Sequence, residues 1–376
     1  MDFDFSEEQQ QLRDQARRLL ADRCPTSVVR KVLEGEDRLD RALWRQFGEM
    51  GFLGAALPEA YGGAGMGYLE LCVIAEELGR SLAPIPMASS VYLAAEILMD
   101  AGGDAQKGKW LPGICSGELI ATVATVEGVG RDGLAAVQAS VVDGRLTGVK
   151  YPVPDGLDAD MAVVVARGAG EAAPSLYLVD LRGEGVERTA LQTIDPTRPA
   201  ARLTFAGAPV ERLGDEGEGL VSLERAFDRA AVLIAFEQVG GAERALEMAR
   251  DYALERMAFG RQIGSFQAIK HMLADMYVAL TLARSNAYYG AWALSVGAPQ
   301  LPVAAASARV SATSAFQQCA KNNIQVHGGM GFTWEFDCHL YYRRSNALAL
   351  FLGPLSHWQD LLIERMQRSG DLAAAA

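Results

Sequence analysis

The sequence predicts a mainly helical protein with a small β domain in its middle. Three observations predict it. Residues 1–117 read as a series of helices, 118–213 as short β-branched runs broken by turns, and 214–376 as long helical runs joined by short loops. The expected architecture is a helical N-terminal domain (1–117), a middle antiparallel β-barrel or sandwich (118–213) and a C-terminal four-helix bundle (214–376).

In the first part, Ser6 with Gln9 three residues on forms a capping box that opens the run Glu7 to Asp22. Helical runs follow at Ala42 to Met50, Tyr68 to Leu82, Ser89 to Asp100 and Asp104 to Ser116. Pro58-Glu-Ala-Tyr-Gly-Gly-Ala-Gly65 is a glycine-rich loop, and Pro84 and Pro86 break the chain again.

In the second part, Ile120 to Val126, Met161 to Ala166, Ser175 to Val179 and Ala201 to Phe205 read as strands. Asp143-Gly144 is a two-residue hairpin turn. In the third, Val221 to Arg256, Phe266 to Val296 and Ala304 to Gln325 are long amphipathic runs. A fourth element leads through Trp358 to Met366.

Composition narrows the function classes. The 376 residues are half hydrophobic and 22% charged, which excludes a largely disordered chain. A length of 376 is too great for one ordinary core. No run approaches the roughly 18 unbroken apolar residues of a membrane span. The acidic start, MDFDFSEEQQQ, lacks the apolar core of a signal peptide. A net charge of −12 argues against a general nucleic-acid surface, while leaving room for a local basic pocket for a phosphorylated ligand. The five cysteines form no CxxC pair, and none of the four histidines stands in HExxH or in Glu-x-x-His. A reduced, cytoplasmic protein without a metal site is therefore expected.

Two glycine motifs fail their own tests. Gly128-Val-Gly-Arg-Asp-Gly133 matches GxGxxG, but a strand and hairpin follow it where a dinucleotide fold needs a helix. A loop on the β domain is the better reading, one that could face a ligand with its amides. Gly103-Asp-Ala-Gln-Lys-Gly-Lys-Trp110 starts like a P-loop, but Trp110 stands where magnesium needs a hydroxyl. It reads as an inter-helix turn.

Two others carry chemistry. Arg256-Met-Ala-Phe-Gly-Arg-Gln-Ile-Gly-Ser-Phe-Gln267 joins two long helices. Its bland reading is a glycine-capped turn at Gly260. Its functional reading is an anion and ring site: Arg256 offers a planar cation, Phe259 an aromatic face and Gln267 an amide. Gln325-Val-His-Gly-Gly-Met-Gly-Phe332 ends the third helix, where Gly328, Gly329 and Gly331 let a ligand approach the backbone. Two such corners in one helical domain are hard to dismiss as capping.

Together these segments resemble the acyl-CoA dehydrogenase family of flavoproteins, over nearly the whole chain. The resemblance rests on Pro58 to Gly65 followed by Ala75-Glu-Glu77. It rests more firmly on Tyr252-Ala-Leu-Glu-Arg-Met-Ala-Phe-Gly260 with Phe266-Gln267, and on Gln325 to Phe332. The resemblance implies FAD-dependent α,β-dehydrogenation of an acyl-CoA thioester: a carboxylate takes the α proton and the β hydride passes to flavin N5. It implies that Arg256, Phe259 and Gln267 contact the diphosphate and adenosine end of FAD. Gln325, Gly328 and Gly329 would line the same region, serving the neighbouring subunit. Val126 to Gly133 would face the flavin ring and thioester. It further implies a homo- or heterotetramer built as a dimer of dimers, an electron-transferring flavoprotein as acceptor, and a role in fatty acid or steroid side-chain metabolism.

The chain departs from the family pattern at the base. Aligned on Arg343, Leu352 stands where the usual C-terminal Glu would be. Aligned on Phe227-Asp228, Ala230 and Ala231 stand at the alternative position in the first bundle helix. The nearest remaining candidate is Glu237, seven residues after Ala230, on nearly the same helical face but roughly 10 Å further along. It is the base, a Glu paired with an Arg, or a Glu solvated on the outer face. The Trp-Ile-Thr stretch that packs on the flavin is replaced by Lys150-Tyr-Pro-Val-Pro-Asp155, and Thr-Glu-Pro by Val126-Glu127-Gly128. Two functions follow as expectations. The chain is a complete dehydrogenase with Glu237 or an unrecognised acid as base, or it is a partner without a base that completes the FAD site of another subunit.

Overall fold

A computed structural model of the chain describes residues 5–35, 37–128 and 134–375. In chain order the helices are α1 (Glu7–Arg23), α2 (Thr26–Leu33), α3 (Arg41–Glu49), α4 (Tyr68–Ser81), α5 (Met87–Ser89), α6 (Glu96–Ala101) and α7 (Asp104–Cys115), with a π-helical turn at Ser90–Ala95 between α5 and α6. The strands β1 (Ala121–Ala124), β2 (Ser140–Val142), β3 (Arg145–Pro154), β4 (Met161–Gly168), β5 (Ser175–Asp180), β6 (Val186–Leu191) and β7 (Ala200–Leu213) follow. Then come α8 (Gly219–Glu255), the short β8 (Met257–Ala258) and β9 (Arg261–Gln262), α9 (Gln267–Ser295), α10 (Leu301–His327), α11 (Cys338–Phe351) and α12 (Leu355–Ala375). Contacts gather them into two units: 1–30, 68–83 and 231–376 in one, 31–67 and 84–230 in the other.

The first unit is helical. The expected capping box opens α1, with Gln9 N donating to Ser6 Oγ and Ser6 N to Gln9 Oε1. Small residues let its helices touch backbone to backbone. A Cβ added at Gly79 would fall 1.8 Å from the Glu237 carbonyl, and one at Gly240 would fall 1.8 Å from that of Glu76. So α4 crosses α8 with no room for a side chain at either position. α9 meets α8 and α10 at Gly290, beside Val232 and Ala308. Salt bridges tie α1, α4, α8 and α9 together: Arg13–Glu76, Arg17–Glu77, Arg284–Glu76 and Arg284–Glu243.

The expected fourth bundle element is two helices. Gly353, at φ +94°, and Pro354 stop α11 and start α12, because glycine accepts the left-handed stop and proline cannot continue the helix. Arg309, buried on α10, hydrogen-bonds the Leu348 carbonyl in the last turn of α11, and Trp358 Nε1 donates to the Leu352 carbonyl. Those are orphan acceptors of a helix end.

The second unit holds the β domain, with α3, α6 and α7 beside it in sequence. Strand pairings run β4–β2–β3–β7–β5 and return to β4, so the sheet closes on itself as a barrel. The Asp143-Gly144 turn joins β2 and β3 with both residues at positive φ. Two pairings, β1–β4 and β2–β4, are parallel rather than antiparallel. Parallel neighbours need a long crossover, and for β1 and β4 the intervening β2–β3 hairpin is that connection. Among the described residues, no helix is long and apolar enough to cross a membrane and no cluster of three or more His, Cys, Asp or Glu is placed to hold a metal ion.

Candidate functional site: a paired corner of the helical unit

α8 ends at Glu255 and the chain turns back at once. Met257–Ala258 pairs with Arg261–Gln262, and the two residues between them, Phe259 and Gly260, both take positive φ (52° and 78°). Such a turn suits glycine. A Phe in the left-handed region costs about 1–2 kcal/mol. The Phe259 side chain gains no burial in return, since it is 94% exposed. Arg261 lies over the Phe266 ring at 4.1 Å. Arg256 and Gln267 are exposed, and Arg256 makes no ion pair among the described residues.

The second corner ends α10. Gly328 takes φ +61°, and Gln325, Gly328 and Gly329 are all exposed. The two corners meet through aromatic rings. Tyr252, four residues before Arg256, stacks on His327, one residue before Gly328 (centroids 4.1 Å, 22°), and Phe336 packs edge-on to both. The His327 Nδ1 stands 2.8 Å from the Asn323 carbonyl and donates to it. Burial lowers the pKa of this ring and the Asn323 bond offsets it in part, which leaves a neutral ring for stacking. Sequence reasoning quoted Tyr252 and His327 inside its motifs but gave them no role. Their positions just ahead of the two corners were the available signal.

Gly329 is informative because nothing inside the chain requires it. Its φ is not left-handed, and an added Cβ would meet no atom within 4 Å. Gly331 differs: its Cβ would press on the Ile324 carbonyl at 2.6 Å. The bare backbone at Gly329 therefore faces outward. With a free guanidinium at Arg256, exposed amides at Gln267 and Gln325, and the open start of α9, the corner offers hydrogen-bond donors. That donor set fits the phosphates of a dinucleotide.

The candidate bases sit elsewhere. Leu352 is 3% exposed and Ala230 fully buried. Glu237 is also fully buried. It lies 18 residues before the end of α8, roughly 27 Å along the axis. Its Oε1 is 3.6 Å from Nη1 of Arg344, itself 1% exposed, and Arg344 donates to the Leu82 carbonyl at 3.0 Å. Leu82 holds φ +56° at the stop of α4, a strained place for a leucine.

In the β unit, Val126 is 37% exposed and its carbonyl accepts from Tyr151 N. Glu127 accepts from Gln138 N and Ala139 N and pairs with the buried Lys150 at 2.8 Å. Pro152 and Pro154 stand in the stretch expected to hold an indole and a hydroxyl, and Pro152 is exposed. The rest of the loop expected to face the ring, 129–133, lies outside the described residues.

Comparison with known proteins decides the family. The acyl-CoA dehydrogenase N-terminal domain matches residues 6–118 and the acyl-CoA dehydrogenase C-terminal domain matches 217–366. The acyl-CoA dehydrogenase IpdE2 of Mycobacterium tuberculosis is 34% identical over 92% of this chain and 93% of its own length. The chain belongs to the acyl-CoA dehydrogenase family. Solved relatives include a variant of the Tcur3481–Tcur3483 steroid ACAD, with TM-score 0.87 and 32% identity over 97% of this chain and 99% of that one. Another is the ChsE4–ChsE5 complex from Mycobacterium tuberculosis, with TM-score 0.86 and 30% identity over the whole of both chains. Family membership makes this chain an oxidoreductase of the acyl-CoA dehydrogenase type.

Proposed function

We propose that this chain works in FAD-dependent α,β-dehydrogenation of a CoA thioester as a partner subunit without a base. It lends its glycine corner to the cofactor of a second, base-carrying acyl-CoA dehydrogenase chain. The observation that carries this reading is the fate of the carboxylate. Leu352 and Ala230 have no atom that can take a proton, and the remaining candidate, Glu237, is buried against Arg344.

The α proton of a thioester is only weakly acidic, so its removal needs a positioned carboxylate with raised proton affinity. Glu237 is fully buried and faces Arg344 at 3.6 Å, so its carboxyl is not open to a thioester. The corner, by contrast, keeps what a diphosphate needs. Arg256 supplies charge, Gln267 and Gln325 supply amides, Gly328 and Gly329 let the backbone approach, and Phe259 offers a ring to the adenosine end. FAD, when bound, supplies the hydride-accepting chemistry. The protein's part is to bind, orient and exclude water. Val126 would stand near the ring, but the prolines at 152 and 154 replace the side chains that would pack on it. That loss supports a different chain, rather than a second copy, as the one that hosts the ring. Two chains of each kind would make the heterotetramer, and an electron-transferring flavoprotein would take the electrons.

The competing reading, a chain that dehydrogenates alone with Glu237 as base, rests on Glu237 sharing a face of α8 with Ala230. Expression alone and together with a base-carrying homologue separates the two. The proposal expects a colourless or insoluble product alone and a yellow complex that acyl-CoA bleaches. A yellow single chain bleached by acyl-CoA supports the competitor.

A further inference from the structure

His339 stands in the first turn of α11, and its ring stacks on Trp334 (centroids 4.7 Å, 16°). Arg30 lies over the Trp334 ring at 5.8 Å and pairs with Asp337 at 2.7 Å. Both His339 ring nitrogens are shielded from solvent, with the Trp334 backbone as the polar group beside them. Burying a polar ring costs free energy. A phenyl ring in this place would stack as well and bury no polar atom. What imidazole alone adds is a proton that it can gain near neutral pH.

The surroundings decide when it does. Facing it are Arg30 from α2, Arg343 from α11 and Asp337 from the segment before α11. Burial, then Arg30 and Arg343, push its pKa below the ordinary imidazole value, with Asp337 and the Trp334 backbone pulling the other way. An imidazolium here would also sit at a helix N-terminus, the end that disfavours positive charge. At neutral pH the ring is therefore uncharged.

Trp334 is the bolt of this arrangement. It follows Gly329 by five residues and is half exposed, next to Phe332 at 82% exposure. The Thr333 hydroxyl donates to the Met330 carbonyl, so the segment leaving the corner is a short, tied turn. The stack pins its far end to α11.

We propose that the His339–Trp334 stack is a proton-sensitive latch on the glycine corner, closed while the imidazole is neutral and released when it gains a proton. The functional consequence rests on the reading of that corner as a cofactor surface. The sign follows from the lowered folded-state value. The latch is whole above the ordinary imidazole range, about pH 6.5, and is lost as pH falls through the folded value.

The test uses tryptophan fluorescence of the full chain from about pH 8 to about pH 5, for wild type, Trp334→Phe and His339→Phe. Wild type is expected to show a transition with a midpoint below about 6.5, and both variants to lack it. His339→Phe is expected to fold as stably as wild type at neutral pH. FAD loss from the co-expressed complex, followed at both ends of that range, is expected to be several-fold faster at the acid end for wild type and independent of pH for His339→Phe. A wild type without the transition, a His339→Phe that keeps it, or equal FAD loss in both proteins overturns the latch. If the transition behaves as expected but the complex holds no FAD at any pH, the cofactor reading of the corner fails while the proton-sensitive stack stands.

Discussion

Glu237 and Arg344 face each other at 3.6 Å inside the helical unit, each no more than 1% exposed. Arg344 carries the link onward to the carbonyl of Leu82, where α4 stops in a strained left-handed turn. The pair thus joins α8, α11 and the end of α4 and works as a structural clamp.

Breaking a buried ion pair by removing one partner costs about 3–5 kcal/mol. Glu237→Gln is therefore expected to lower the unfolding temperature by several degrees. Glu237→Leu with Arg344→Met should recover much of that loss, since the double change leaves no charge behind. Thermal melts of the singles and the double check the coupling. Additive losses would show that the two side chains do not act on each other.

Gly329 and Gly331 should separate ligand binding from folding. Gly329→Ala adds a methyl group in open space, so the melting temperature is expected to stay put while flavin retention by the complex falls. Gly331→Ala presses on the Ile324 carbonyl and should destabilise the chain itself. Flavin content and melting curves of the two variants provide the comparison.

Arg256→Met should behave like Gly329→Ala. The guanidinium is exposed and makes no ion pair among the described residues, so stability is expected to be unchanged. A charge-assisted hydrogen bond to phosphate is worth about 1.5–3 kcal/mol, so FAD affinity of the complex should fall roughly 10- to 100-fold. Equilibrium titration of the stripped complex with FAD measures it.

In the β unit, burial acts to raise the pKa of Glu127. Lys150 and the N–H groups of Ala139 and Gln138 outweigh it and hold the carboxyl below its usual range. Burial pushes Lys150 down, and Glu127 restores part of the loss. A depressed carboxyl contributes stability above its unfolded value, about 4.3, and loses it as pH falls through the folded one. Amide exchange at Gln138 and Ala139, corrected for its intrinsic pH dependence, should accelerate in that acid window. Glu127→Gln should remove the step.

Some of this was legible beforehand and some was not, for physical reasons. The capping box at Ser6 and Gln9, the Asp143-Gly144 turn and the long helices α8, α9 and α10 carry local signals, and the structure forms each of them. β6 was missed because Val186-Glu-Arg-Thr-Ala-Leu191 is half polar and has no buried residue. β3 was legible only where it leaves the Asp143-Gly144 turn, and its continuation was hidden by Pro152 and Pro154, which usually argue against a strand. α2 is short, and the stop between α11 and α12 needed Gly353 to be read as a break. At the corners, glycine, Arg and Gln carry their chemistry locally, so the sequence alone singles them out as candidates. The partner of Glu237 was not legible: Arg344 lies more than a hundred residues away, and only the fold brings them together.

The most direct test is anaerobic titration with acyl-CoA, following flavin absorbance, of the chain alone and of its complex with a base-carrying homologue, each as wild type and Glu237→Gln. The account predicts no bleaching by the chain alone and bleaching by the complex that survives Glu237→Gln. A chain that alone binds FAD, is bleached by acyl-CoA and loses that response in Glu237→Gln would contradict it.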